Sequence, residues 1–461
     1  MNLKMFFMMM AVVSSTIATA ATATVTSVRQ NWPWDTKVKI GYTLAAESGT
    51  YDMTVKVKQG VDMWTLSDRA LSGDRYGVTA GQHEVVWNPA HDDVTNFTAL
   101  VNATFIVEPE ENASVMQEYL IVDLSAGPTA AAWPVTVAAS VDVADEAYKT
   151  TKLLFRRVRP RQFLLSSPLD EPLRKNAYEG SSGQYATTLT NDYYICVYEM
   201  TQEQYRLMTG TEGMAGEGGA HPRYSFLWTD IRGPSVGILW PASSDVDADS
   251  LIGKLRTKAV LAETVVPAGW KFDLPTDAQW ENACRAGLNT PWNNGTSVNI
   301  YTNAAGKVCD DNLDKLGWYS GNAGDKVHKV GLKEPNSLGL YDMHGNVWEW
   351  TLCALYYSNN PEGGTEPTGY GYTGGKYGPS TTYGSSYRSI RGGCYKISDG
   401  GGAAYKWNVA EDGVAGCRAA GRSRSYEAGY DCVGCRLAIR YSLDNAGHDL
   451  EKYPPEQYPY K

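Results

Sequence analysis

The segment GLYDMHGNVWEW, residues 339–350, constrains the fold of this chain more than any other stretch. Its apolar positions follow neither the 3.6-residue period of a helix nor the alternation of a strand. A Gly-Asn pair places a tight turn in its middle. The segment therefore predicts an irregular, densely packed structure that brings Asp342, His344, Asn346 and Glu349 together. A metal site, a catalytic centre and a packing cluster are the three interpretations that these residues allow.

The overall composition is that of an acidic globular protein. Of the 461 residues, 43 % are hydrophobic and 20 % are charged, and the formal net charge is −10. This balance argues against nucleic acid or an anionic membrane surface as a partner, because both need basic patches. The length indicates several domains, since one domain takes about 100–200 residues.

Residues 1–20 are typical of a secretory signal peptide. Lys4 supplies the positive start, a short apolar core follows, and Ala18-Thr19-Ala20 matches the small-residue cleavage pattern. The apolar core is too short for a membrane helix, and no later segment offers the ~18 apolar residues that one needs. We therefore expect export to the cell envelope, periplasm or medium, with no membrane span. A buried N-terminal helix is the alternative.

Changes in residue composition and hydrophobic patterning along the chain predict its domains. Residues 24–115 alternate β-forming and polar residues between Gly and Asp turns, which predicts a small immunoglobulin-like β-sandwich with a structural or adhesive role. Residues 116–154 are predicted to form a linker and a connecting strand. Residues 155–441 combine short strands, helices and Gly-rich loops, so that the fold class is α+β. Residues 442–461 are left as a C-terminal tail.

Two helices are predicted in the larger domain. In TQEQYRLMTG, Thr201 is the N-cap and Gln204 completes a capping box. Thr276 and Gln279 have the same relation in PTDAQWENACRAG. A glycine follows the last turn of each helix, as is common at helix C-termini.

All eight cysteines lie at or after Cys196. In an exported protein an even number indicates disulfide bonds, here confined to the C-terminal part. The C-x-x-C pair Cys432 and Cys435 lacks the second pair or the neighbouring histidines of a zinc site, and it lies in a predicted strand. These two cysteines are therefore interpreted as structural.

Five ordered segments of the larger domain resemble the formylglycine-generating enzyme, or sulfatase-modifying-factor, family. They are YYICVYEMTQEQYRLMTG (193–210), LPTDAQWENACRAG (274–287), NSLGLYDMHGNVWEW (336–350), SIRGGCY (389–395) and VGCRLAIR (433–440). The resemblance implies an irregular C-type-lectin-like fold. It also implies a copper enzyme that oxidises a cysteine to formylglycine in a sulfatase-type protein partner.

The cysteines that hold copper in the family are not matched. They form a C-x4-C pair that begins three residues after the serine of RGGS. Here Cys394 replaces that serine, and Ile397 and Gly402 stand at the two thiolate positions. Cys394 and Cys417 remain candidate catalytic, copper-binding residues, since thiolates suit Cu(I). A disulfide between them, or two unrelated thiols, is the alternative.

The resemblance also implies a structural calcium ion inside residues 339–350. Its ligands would be the Asp342 side chain, the Gly345 and Val347 carbonyls and the Glu349 carboxylate, which are the hard oxygens that Ca²⁺ prefers. The alternative is a buried ion pair between Glu349 and an arginine such as Arg391.

Two further sites come from the resemblance alone. A second calcium site would use Asn312 and the Leu313 carbonyl. The family's structural disulfide would start at Cys284, and its partner position aligns with Leu437. Cys435 lies two residues earlier, on the same face of a strand, so a Cys284–Cys435 bridge is predicted.

The other residues of the opening segment are interpreted as structural. His344 is expected at the surface or in a hydrogen bond, not as a general base. Trp348 and Trp350 are expected in the core, because buried tryptophans anchor an irregular fold.

Two functions remain open after the sequence analysis. The first is an exported oxidase that generates formylglycine. The second is a non-catalytic secreted or surface module that binds carbohydrate or protein through lectin-like loops, for which the Tyr- and Gly-rich stretch 369–387 is suited.

Overall fold

The computed structural model divides into two compact units, Met1–Ala113 and Ser114–Lys461. The residues that it describes are 21–30, 37–47, 49, 51–59, 62–66, 71–75, 78–89, 103–111, 116–159, 161–175, 179, 183–189, 191–214, 217–225, 227–233, 246–354, 364–365, 387–396, 412–426 and 432–441. The expected signal peptide, the C-terminal tail and residues 369–386 of the loop 369–387 lie outside these residues.

The first unit consists of two antiparallel sheets. Its strands are β1 (Thr22–Gln30), β2 (Val38–Ala45), β3 (Tyr51–Gln59), β4 (Asp62–Thr65), β5 (Leu71–Gly73), β6 (Gly81–Trp87) and β7 (Ala103–Glu111). One sheet has the order β1-β2-β6-β5 and the other β4-β3-β7.

Both sheets of the first unit contribute side chains to one hydrophobic core. Alternation along the strands turns every second side chain inward. The buried residues include Val38, Ile40, Val55, Val57, Val85, Trp87, Phe105 and Val107. The immunoglobulin-like assignment of this unit remains a prediction.

The second unit contains fifteen strands and six α-helices among the described residues. The strands are β8 (Tyr119–Asp123), β9 (Val135–Ala138), β10 (Lys152–Val158), β11 (Arg161–Leu165), β12 (Tyr185–Leu189), β13 (Tyr193–Cys196), β14 (Trp270–Asp273), β15 (Ile300–Thr302), β16 (Val308–Asp310), β17 (Trp348–Ala354), β18 (Gly364–Thr365), β19 (Tyr387–Arg391), β20 (Arg422–Tyr426), β21 (Val433–Cys435) and β22 (Ala438–Tyr441). The helices are α1 (Gln202–Thr209), α2 (Trp228–Arg232), α3 (Leu251–Lys258), α4 (Asp277–Arg285), α5 (Leu313–Leu316) and α6 (Asp412–Cys417).

A six-stranded sheet with the order β14-β22-β13-β10-β8-β9 forms the centre of this unit. Residues 116–154, predicted as a linker and a connecting strand, supply β8, β9 and the start of β10 to it. Leu120, Val122 and Leu153 are buried in its core. The prediction is met by the strand β8, and it differs at β9, which pairs with β8 at the edge of the sheet instead of forming a linker.

The two predicted helices form with the predicted caps. The Thr201 hydroxyl accepts the Gln204 N–H, and the Gln204 side chain accepts the Thr201 N–H. Thr276 and Gln279 make the same pair of bonds at the start of α4. Every residue of α4 is buried, including its charged side chains, so this helix lies inside the unit.

A four-stranded sheet with the order β20-β19-β17-β21 carries the end of the GLYDMHGNVWEW segment. Strand β17 begins at Trp348, pairs antiparallel with β19 and runs parallel to β21. Trp348 and Trp350 are buried in the main core, as predicted. Two smaller sheets, β11-β12-β18 and β15-β16, complete the described part of the unit. Within the described residues, each helix is too short or too polar to cross a membrane.

A buried carboxylate cluster as the candidate functional site

The GLYDMHGNVWEW segment folds as an irregular turn held against Trp318. Asp342 and Asn346 have φ values of 60° and 66°, and a Cβ on Gly345 would lie 2.3 Å from the Trp318 carbonyl oxygen. The Asn346 N–H donates to that same oxygen at 2.7 Å. The Asn346 side-chain oxygen accepts the His328 N–H at 3.0 Å. These left-handed residues and the close glycine contact explain the absence of a regular period in the sequence.

Glu199 is a member of the site that sequence reasoning missed. It is fully buried, and its carboxylate accepts the Asn346 side-chain amide at 2.7 Å and the Val347 N–H at 3.0 Å. The signal in the sequence was an isolated acid inside the otherwise apolar run ICVYEM, just before the N-cap of α1. A charge in such a run is buried, and a buried charge needs a partner.

Asp342 lies in the same cluster, and one of its two carboxylate oxygens has no hydrogen-bond partner among the described residues. Its Oδ2 accepts the Gly331 N–H at 2.7 Å. Its Oδ1 is buried and has no hydrogen-bond partner among the described residues. An orphaned buried carboxylate oxygen is costly, so this atom marks a position where a positive ligand would be stabilised.

Glu349 is held by Arg436 and Trp280. The Arg436 guanidinium donates to Glu349 Oε1 at 2.8 Å, and the Trp280 indole N–H donates to Oε2 at 2.5 Å. The remaining guanidinium N–H groups bind the carbonyls of residues 196, 197 and 341 at 2.7–2.9 Å. The alternative of a buried Glu349–arginine pair therefore describes the geometry, with Arg436 as the arginine.

Arg391, the arginine named in the sequence analysis, belongs to a different network. It lies opposite Glu349 in the β17–β19 pairing. Its guanidinium nevertheless binds two carboxylates of α4, Asp277 through Nε at 2.6 Å and Glu281 through Nη2 at 2.9 Å. The pairing with Glu349 is therefore wrong, because the buried face of α4 presents two acids to this strand.

The cluster contains more negative than positive groups. Among the described residues, Arg436 supplies the guanidinium of this cluster, and its ion pair is with Glu349. Glu199 and Asp342 lie beside that pair. Burial, with a smaller contribution from Glu349, raises the pKa of Asp342 to about 6. Burial and then Asp342 raise the pKa of Glu199 well above its usual range. A bound cation would relieve both effects.

Calcium remains a prediction for this cluster, and the chemistry of its oxygen donors is compatible with that ion. No three His, Cys, Asp or Glu side chains in the described part of the chain are placed to hold a metal ion by themselves. A cation would therefore need main-chain carbonyls, and Gly345 and Val347 belong to the turn between the acids. Asp342 Oδ1 and Glu199 are the carboxylate oxygens beside that turn. Ca²⁺ accepts such mixtures of carboxylates and carbonyls.

The two residues of the second predicted calcium site, Asn312 and Leu313, make hydrogen bonds within the protein. The Asn312 side-chain amide donates to the Ser297 carbonyl at 3.0 Å. The Leu313 carbonyl accepts the Gly317 N–H at 3.0 Å. Both groups stabilise the short helix α5 and its neighbourhood, and the second site remains a prediction.

His344 is completely buried, so the surface placement was wrong and the hydrogen-bonded one is observed. Its Nε2 accepts the Asn293 N–H at 3.2 Å, which leaves Nδ1 to donate to the Cys417 carbonyl at 2.7 Å. Burial lowers the pKa of His344 to about 4. The ring is therefore neutral. It connects the segments of Asn293 and Cys417 to the turn that contains His344.

This histidine predicts a pH effect on stability. Its pKa is lower in the folded than in the unfolded chain, so the unfolded state binds more protons between about pH 6.5 and 4. As the pH falls from 7 to 5, the free energy of unfolding of the wild type should fall relative to that of His344→Gln. The slope should approach about 1.4 kcal/mol per pH unit. Urea titrations at each pH measure the difference, and parallel curves would contradict the assignment.

The predicted Cys284–Cys435 disulfide is not formed, because all eight cysteines are buried free thiols. The Cys284 sulfur lies 3.7 Å from the Met343 carbonyl and 3.8 Å from His344 Nε2. The pKa of Cys435 is raised by burial and then by the neighbouring Cys196. The two residues thus face different neighbours, and the strand-face argument was insufficient to pair them.

The thiols near the RGG segment each make a main-chain hydrogen bond, and copper binding by them remains a prediction. The Cys394 sulfur donates to the Lys396 carbonyl and the Cys417 sulfur to the Gly413 carbonyl, each at 3.2 Å. Burial raises the pKa of Cys417, which disfavours the thiolate that Cu(I) needs. A Cβ on Gly393 would lie 2.3 Å from the Cys417 sulfur, so this thiol fills the space beside the glycine. Positions 397 and 402 lie outside the described residues and carry no thiol.

Known proteins resemble this chain to different extents. Chaperone protein LppX of Paenibacillus barcinonensis is 26 % identical over 209 residues, which are 40 % of this chain and 70 % of that protein. Formylglycine-generating enzyme of Mus musculus is 35 % identical over 130 residues, 25 % of this chain and only 32 % of the enzyme. The solved Treponema denticola variable protein 1 is 20 % identical, with a TM-score of 0.40 over 63 % of this chain and 96 % of that one. The model of the Sulfatase-modifying factor enzyme 1-like domain family matches residues 170–441, well over half of the 461 residues, and the chain belongs to that family.

Proposed function

We propose that this protein is a secreted, non-generating member of its family, which uses the fold as a binding module for carbohydrate or protein. The observation that supports this proposal is the hydrogen bonding and packing of the two candidate thiols, Cys394 and Cys417. Cys394 and Cys417 each bond to a main-chain carbonyl of their own segment, and Cys417 is packed against Gly393. Two thiolates that converge on Cu(I) are the chemistry of formylglycine generation. The main-chain hydrogen bonds of both thiols and the raised pKa of Cys417 count against that role.

The family relation is compatible with this role, because a fold does not determine an activity. One relative is named a chaperone and another a formylglycine-generating enzyme, and the chain spans about a third of the latter. Export is supported by the charged and apolar pattern of residues 1–20. Calcium at the carboxylate cluster would stabilise the turn of the binding module and take no part in chemistry.

One assay separates the two functions. The protein, incubated with Cu(I), calcium and a peptide containing Cys-x-Pro-x-Arg, is expected to leave the peptide's cysteine mass unchanged. In a competition with a Cu(I) chelator, the wild type and the Cys394→Ser and Cys417→Ser variants should bind the same small amount of copper. An aldehyde product that disappears in Cys394→Ser would establish the oxidase and end the binding-module proposal.

A further inference from the structure

We propose that a tyrosine surface on the second unit, formed by Tyr119, Tyr341 and Leu332, binds a neutral polysaccharide. This inference rests on the proposed binding role and gives it a site and a class of ligand. It is independent of the loop 369–387, of which residues 369–386 lie outside the described residues.

Tyr341 is a partly exposed ring that is supported from behind. It stacks on the buried ring of Tyr198, with the two centroids 5.1 Å apart and the planes 29° from parallel. The Tyr198 hydroxyl donates to the Val143 carbonyl at 2.6 Å, which fixes the supporting ring. Because one face of Tyr341 is covered and the residue is only partly buried, its exposed part is rigid. A rigid aromatic side chain loses little conformational entropy when it binds a ligand.

Tyr119 is a second partly exposed ring that is also supported by a neighbouring side chain, here Arg156. The Arg156 guanidinium lies over it at 4.9 Å from the centroid. Arg156 is itself fixed by Glu118 at 2.8 Å. The Tyr119 hydroxyl lies 4.0 Å from where a Cβ on Gly339 would be, and Tyr119 acts electrostatically on Tyr341. The two rings therefore border one patch.

Leu332 extends this patch and is 57 % exposed. The preceding Gly331 lies directly on Tyr198, since a Cβ there would be 2.5 Å from Tyr198 Cε1. Leu332 is thus placed beside the pair of stacked tyrosines. Only a glycine at position 331, with φ 74°, allows this close approach.

The polar groups at the edge favour an uncharged ligand that forms hydrogen bonds. Lys149 is neutralised by Glu146 at 2.8 Å, and Arg156 by Glu118. The hydroxyls of Tyr119 and Tyr341 make no hydrogen bond within the described residues, so both are available to a ligand. A sugar ring combines an apolar face of C–H groups with a rim of hydroxyls, and this matches exposed aromatic rings with free hydroxyls. The exposed Asp142 carboxylate also acts electrostatically on Tyr341, so an anionic polymer is disfavoured here.

Affinity electrophoresis in gels that contain a mixed-linkage β-glucan or a galactomannan tests the inference. At least one of these neutral polysaccharides should retard the full chain, and the acidic polygalacturonate should not. Tyr341→Ala and Tyr119→Ala should each weaken the retardation about tenfold, as expected for a central aromatic contact. Tyr341→Phe keeps the stacked ring and should change it by roughly threefold or less. Tyr301→Ala removes a tyrosine that is 41 % exposed on another sheet and serves as the matched control.

Retardation by neither neutral polysaccharide, or by polygalacturonate alone, would overturn the inference. Equal retardation of the wild type and both alanine variants would also overturn it, because the ligand would then bind elsewhere. Circular dichroism of each variant shows whether it is folded, and Tyr341→Phe provides the test if an alanine variant is not. These failures leave the proposed function standing, since that function is tested separately by aldehyde formation.

Discussion

Replacing Arg436 with methionine is expected to lower the free energy of unfolding of the second unit by about 3–5 kcal/mol, because it leaves a buried carboxylate without its partner. Arg436 is fully buried and satisfies Glu349 together with three main-chain carbonyls. Glu199 and Asp342 lie in the same buried cluster and would not replace the lost partner. Urea unfolding followed by tryptophan fluorescence measures the loss.

The control for this prediction is Arg206→Met. Arg206 pairs with Glu203 three residues away on α1, and its side chain is 36 % exposed. An exposed pair of this kind contributes only about 0.2–1 kcal/mol. The double variant Arg436→Met with Glu349→Gln should recover part of the loss, because it removes the unpaired carboxylate. Equal effects of Arg436→Met and Arg206→Met would show that the buried cluster does not stabilise the fold.

Calcium is expected to stabilise the wild type, and the effect should depend on Asp342. A ligand that binds only the folded state stabilises it by about 2.7 kcal/mol at a hundred times its dissociation constant. The orphaned Asp342 Oδ1 and the Glu199 carboxylate are the oxygens that a cation would engage. Thermal unfolding in calcium and in a chelator gives the shift, and calorimetry gives the stoichiometry.

The Asp342→Asn variant provides the contrast. Without calcium it should be at least as stable as the wild type, because it removes a carboxylate whose burial disfavours the charged form. With calcium it should show little or no gain. Asp325→Asn changes an exposed acid outside the cluster and is the matched control. A calcium shift of equal size in Asp342→Asn and the wild type would place the ion elsewhere.

Local signals in the sequence predicted the local structure well. The capping boxes at Thr201 and Thr276 form because their bonds join residues three apart and need no distant partner. The irregular turn at residues 339–350 was expected from its missing period. Within residues 116–154 the connecting strand was expected and forms as β8, whereas β9 was predicted as part of the linker. A short strand beside small residues resembles a connection until its sheet neighbours are known.

The partners inside the site could not be predicted in the same way. Glu199 and Val347, whose hydrogen bond is 3.0 Å long, are 148 residues apart in the chain. Glu349 is joined to Arg436 across 87 residues, although Arg391 is nearer in sequence and lies opposite it in the sheet. Which arginine pairs with Glu349 depends on the other acids that each arginine faces. Arg391 faces Asp277 and Glu281 of α4 and binds them instead.

The sequence by itself determined the family, the two helix starts, the buried tryptophans and the absence of cysteine at positions 397 and 402. These follow from residue identity and from spacing over a few positions. The tertiary structure alone decided that Glu199 and Asp342 lie beside the Glu349–Arg436 pair, that His344 is buried and neutral, and that the cysteines are free thiols. Burial and charge balance are sums over segments that meet only in the folded chain, and no local pattern contains them.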